Sequence, residues 1–165
     1  MSSCIRHLMN TILCGALGGA LATAMLNAVV VAARSLGLFQ APTPLQPASC
    51  AEDADPGDQA PLPLAFQAGW LSAHVLYGMG CGVLFSLFSR YAVRPLAPRV
   101  AGLPLGVGFG LVIWGASARG LLPEMRLSVW PGADTRGRLA TMIAAHAVFG
   151  MVLGAVEARC GRGTR

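Results

Sequence analysis

Lysine is absent from this chain of 165 residues, and charge of either sign is scarce: 12 arginines and 7 acids amount to 12% of it. A soluble domain carries about 25% charged residues. Half that supply leaves too little polar surface to cover a water-soluble globule of this size. The shortage is also uneven, because long windows hold no charge at all. That distribution excludes an ordinary soluble domain and fits helices surrounded by lipid. The missing lysine, beside abundant Ala, Gly and Arg, points to a GC-rich genome rather than to a function. The net charge of +5 is scattered over loops, with no basic stripe and no interleaved aromatics, so nucleic acid is not an expected partner. Anionic lipid headgroups are the natural counter-charge.

Motifs that carry chemistry are missing too. There is no Gly-rich phosphate loop, Ser nucleophile elbow, HExxH or Cys/His cluster, so nothing supports an enzyme. The cysteines are Cys4, Cys14, Cys50, Cys81 and Cys160. Their spacing matches no metal or redox pattern, and no disulfide framework is expected. Glu52, Asp53, Asp55 and Asp58 lie together but do not match the spacing of an EF-hand loop. No metal site and no cofactor is therefore expected.

What is present is apolar length. Hydrophobic residues make up 55% of the chain, and mean hydropathy is +0.60. The expectation is one domain over residues 1–165 with four spans, at about 9–33, 64–88, 101–122 and 139–158. The first span contains Ala22-Thr23-Ala24, which mimics a signal cleavage site. Its apolar run continues to Ala33, too long for a signal peptide core. Residues 37–63 hold six prolines and four acids without a basic residue, and read as an acidic irregular loop.

Two spans share one pattern. His74 is followed by Gly78 and Gly82, and His146 by Gly150 and Gly154. Positions i, i+4 and i+8 lie on one helix face. Each of these spans thus presents a smooth glycine track headed by a titratable ring. Gly15/Gly19 in the first span and Gly102/Gly106/Gly110 in the third add further GxxxG tracks, which let helix backbones approach closely. The fold expected is an all-α integral membrane protein, with four transmembrane helices as two parallel hairpin repeats in a glycine-packed bundle.

Orientation follows from arginine. Arg6, Arg90, Arg94, Arg99, Arg159, Arg162 and Arg165 fall on one side, against Arg34, Arg119, Arg126, Arg136 and Arg138 on the other. This bias predicts both termini in the cytoplasm and the acidic loop outside. Asn27, His74, Trp114 and His146 then form one polar layer, each ~6–10 Å below the outer end of its span. Arg119 and Glu124 form a rim above it. Such a layer can pin helix register by interhelical hydrogen bonds, or handle protons or ions. The two imidazoles also leave a bis-histidine haem open as a third reading. Glu157, beside Arg159 at the inner end of the fourth span, reads as a snorkelling or paired interfacial charge rather than a catalytic acid.

The run Gly110-Leu-Val-Ile-Trp114, then Gly120-Leu-Leu-Pro123, then Ala144-Ala-His146-Ala-Val-Phe149-Gly150 and Gly154, resembles uncharacterised bacterial inner-membrane proteins of the YagU-like kind. The resemblance covers the last two spans best. It implies a four-span inner-membrane protein with no assigned reaction, and an envelope or acid-stress role. It supplies no catalytic residues. The expected function is non-enzymatic. The alternatives are a small oligomeric proton- or ion-translocating unit using His74 and His146, or a haem-binding electron-transfer subunit. The expected partners are the lipid bilayer and either further copies of the chain or another membrane subunit.

Overall fold

The computed structural model describes residues 2–38, 64–98, 100–117 and 135–161. These form four helices, and no strand occurs among the described residues. Helix α1 is Ser2–Ser35. Helix α2 is Leu64–Leu87 and runs on into a π-helical turn, Phe88–Val93. Helix α3 is Leu103–Ala116, and α4 is Thr135–Cys160. Three of the four are long and apolar enough to cross a membrane, over Cys4–Ser35, Leu71–Val93 and Arg136–Cys160, and α3 is a shorter apolar helix.

The helices outrun the apolar windows for a simple reason. Hydropathy marks where lipid can be tolerated, whereas helical hydrogen bonding continues into polar flanks. Arg6 and His7 thus lie inside α1 although they precede its apolar run. Arg136 and Arg138 open α4 in the same way. The outer part of the expected third span, together with Arg119, Glu124 and the acidic loop from residue 39 to 63, lies outside the described residues.

Two glycines set helix boundaries by conformation. Gly37 has φ +69°. It donates to Arg34 O at 2.9 Å, while Leu38 donates to Ala33 O at 3.0 Å, the paired bonds of a Schellman cap on α1. Gly102 has φ +127° and precedes α3, whose first turn contains Pro104. A proline there removes no helical bond, because that N–H has no partner in the helix.

Helix α1 packs against α2 on one side and α4 on the other, and α3 packs on α4. Neighbours run antiparallel: Gly15 faces Gly82 while Gly19 faces Gly78, and Gly106 faces Gly150 while Gly110 faces His146. The apolar centre combines Ala22 and Leu26 of α1, Phe85 of α2, and Ala145, Phe149 and Leu153 of α4. Phe109 of α3 closes it, with its ring centroid 5.3 Å from that of Phe85.

Candidate functional site

The glycine tracks meet one another backbone on backbone. A Cβ added at Gly15 would lie 2.7 Å from Val83 Cα, and one at Gly82 would lie 2.8 Å from Gly19 Cα. In the second hairpin a Cβ at Gly106 would lie 2.9 Å from Gly154 N, and one at Gly154 would reach Gly102 O at 2.5 Å. One added at Gly78 would collide with the Thr23 hydroxyl. The seam between α1 and α4 is different. Gly18 there faces the side chains of Val156 and Leu153 rather than another glycine.

On one side of the apolar centre lies a histidine layer. His74 and His146 are both half-buried, and the His146 imidazole acts electrostatically on His74. His146 Nδ1 lies 2.8 Å from Met142 O. A carbonyl only accepts, so Nδ1 carries the proton and the neutral ring keeps Nε2 as an acceptor. Tyr77, one helical turn beyond His74, is exposed. Asn27 and Trp114 are half-buried. Among the described residues no group of three His, Cys, Asp or Glu side chains is placed to hold a metal ion.

On the other side lies a charged layer that the sequence reading did not assemble. Arg90 Nε donates to Glu157 Oε1 at 2.7 Å, and Arg90 Nη1 donates to Thr11 Oγ1 at 3.1 Å. Thr11 in turn donates to His7 O at 2.8 Å. The pair is inaccessible: the side chains of Arg90 and Glu157 are 11% and 4% exposed. Three helices are thereby tied at one end. Arg90 Nη2 and Glu157 Oε2 are buried without a hydrogen-bond partner. They are the second half of a bidentate fork, which a small rotation of the carboxylate would close.

Of the two readings of Glu157, a snorkelling or a paired charge, the structure shows the pair, and its partner is Arg90 rather than the adjacent Arg159. The sequence does contain a cue. The face that starts at His146 and continues through Gly150 and Gly154 reaches Glu157 after one more turn, so Glu157 had to point inward. Arg90 gave less away, because it stands in a cluster of arginines at the end of an apolar run.

The cysteines require a correction. No disulfide was expected, yet Cys14 and Cys160 are bonded, with Cα atoms 6.6 Å apart across a sequence separation of 146. Linear spacing carries no trace of this pairing, because it depends on α1 and α4 lying antiparallel. Cys4 and Cys81 are free, Cys4 exposed and Cys81 buried. Cys50 lies outside the described residues.

The molecule is thus a helical protein with three helices of membrane-crossing length, a glycine-packed interior, and a polar layer on each side of it. A family model described as a family of unknown function, DUF6789, matches residues 9–164, and the chain belongs to that family. No curated protein and no solved structure matches it.

Proposed function

We propose that this chain is a non-enzymatic, four-span integral protein of the bacterial inner membrane, built as two parallel hairpin repeats with both termini in the cytoplasm. The observation that carries this reading is the reciprocal use of glycine. The α1–α2 and α3–α4 hairpins each close by backbone contact between antiparallel glycine tracks. Such contacts substitute for the hydrophobic effect, which gives no drive between helices already in lipid. Only about a third of each crossing window is covered by the protein itself: 33%, 28% and 33%. The rest is apolar surface for lipid, a further copy or another membrane subunit. The likeness to YagU-like proteins supports a role in the envelope or in acid stress.

A second reading, proton or ion handling, rests on the proximity of His74 and His146. The interior weighs against a continuous route. Glu157 follows His146 by 11 positions on α4, a rise of ~16 Å. Phe85, Phe149 and Leu153, all buried, occupy the interval.

The test is reconstitution of the purified protein in liposomes with a pH gradient. No flux above empty vesicles is expected. Flux abolished by His74→Gln with His146→Gln would overturn the first reading in favour of the second. A Soret band in the purified protein would instead establish the haem reading.

A further inference from the structure

The two hairpins are joined along the α1–α4 seam, and one end of that seam carries both an ionic and a covalent cross-link. Thr11 and Cys14 are one turn apart on α1, and Glu157 and Cys160 are one turn apart on α4. The ionic link runs from Thr11 through Arg90 to Glu157. The covalent link runs from Cys14 to Cys160. Elsewhere the seam is ordinary packing, such as Gly18 against Val156 and Leu153.

Two further features bear on the chemistry of that bond. Cys160 is the last residue of α4 and, like Cys14, is half-buried. Arginines flank it in the chain and in space: Arg159 precedes it, and the Arg94 guanidinium lies against Gly161, where an added Cβ would sit 2.7 Å from Nη2. The same end holds the larger share of the arginines, which places it in the cytoplasm under the orientation proposed above. Cytosolic thiols are kept reduced, so a disulfide there forms and breaks rather than persisting.

We infer that Cys14 and Cys160 form a reversible thiol–disulfide exchange site that latches the two helical hairpins together. This inference rests on the proposed orientation. The reaction partner is a cellular dithiol. One thiolate of that dithiol attacks Cys160 Sγ, breaks the Cys14–Cys160 bond and expels the Cys14 thiolate, which takes up a proton. The second thiol of the reductant then attacks the mixed disulfide and releases Cys160 as a thiol. Two electrons and two protons pass to the protein, and the dithiol leaves as a disulfide. Oxidation by a disulfide reagent is the reverse. With the covalent link open, the Arg90–Glu157–Thr11 link still ties that end of the seam.

The site is tested by trapping thiols in intact cells with acid, denaturing the membranes and attaching a mass tag to each free cysteine. The chain has five cysteines, so the open form takes five tags and the latched form three. Five tags in unstressed cells are expected, falling to three after a pulse of diamide and returning to five after its removal. Three tags under every condition, including treatment with a permeant dithiol, would mean a permanent bond and overturn the inference. Five tags after diamide would overturn it as well. Cys14→Ser should carry four tags with and without diamide, and loss of two tags in that variant would show a different pairing. In detergent, dithiothreitol should lower the Tm of the full chain by about 5–10 °C. It should leave Cys14→Ser/Cys160→Ser unchanged and act more strongly on Arg90→Gln, in which the neighbouring link is already cut. A dithiothreitol effect of the same size in that double-serine variant would show that the bond is not what latches the seam. A reporter fused after Arg165 checks the orientation separately. A periplasmic reading there would overturn the orientation, whereas the tag counts read the pairing itself.

Discussion

Arg90 and Glu157 stand 67 positions apart in the chain, and their side chains meet at 2.7 Å between two helices that otherwise barely touch. Removing one partner leaves the other as an uncompensated buried charge, which costs about 3–5 kcal/mol. Arg90→Gln and Glu157→Gln should each lower stability by that order in detergent unfolding. Arg90→Met combined with Glu157→Leu should be less harmful than either single change, because an apolar pair needs no partner. A double variant as unstable as the two single effects added together would contradict the pairing.

The glycine seams predict a sharp contrast between glycines of the same helix. Gly106→Ala places a Cβ 2.9 Å from Gly154 N, and so must push α3 from α4, whereas Gly80 and Gly108 face open space within 4 Å. Overpacking of this kind costs about 1–3 kcal/mol. Alanine at an open helical glycine contributes about 1 kcal/mol in helix propensity. Melting temperatures should therefore fall for Gly106→Ala and hold or rise for Gly80→Ala and Gly108→Ala. Similar values for all three would show that the seams are not close-packed.

Acid should loosen the histidine end. When both rings are charged, His74 and His146 repel each other. In the unfolded chain the same rings are apart, so protons bind there without that repulsion. Stability should then fall as pH drops through the imidazole range. His74→Gln with His146→Gln should flatten the curve while the fold persists. An unchanged pH–stability profile in that variant would reduce the pair to plain hydrogen-bonding groups.

Topology is open to direct labelling. A membrane-impermeant maleimide applied to intact cells should modify Cys50 in the acidic loop and spare Cys4. Cys160 is a poorer reporter of sidedness than Cys4, because in the latched form its bond to Cys14 blocks it. Modification of Cys4 with Cys50 protected would reverse the proposed orientation.

How much of this was legible beforehand depends on which interactions are local. Apolar length and the i, i+4, i+8 glycine spacing follow from helix geometry, so the helical, lipid-suited class and the faces that would pack could be read from residues near one another in the chain. The His74 and His146 faces were readable on the same ground. Which track would meet which, Gly19 with Gly78 and Gly106 with Gly150, was not, since every track is equally smooth. Helix direction and neighbour order settled that. The same holds for Arg90 with Glu157 and for Cys14 with Cys160. Each pair joins residues 67 or 146 positions apart, and nothing in linear spacing distinguishes the right partner from another arginine or another cysteine. Helices, their apolar extent and their small-residue faces follow from side chains within a few turns of one another. Their partners follow from packing, because antiparallel contact of α1 with α4 brings the N-terminal turns of one against the C-terminal turns of the other.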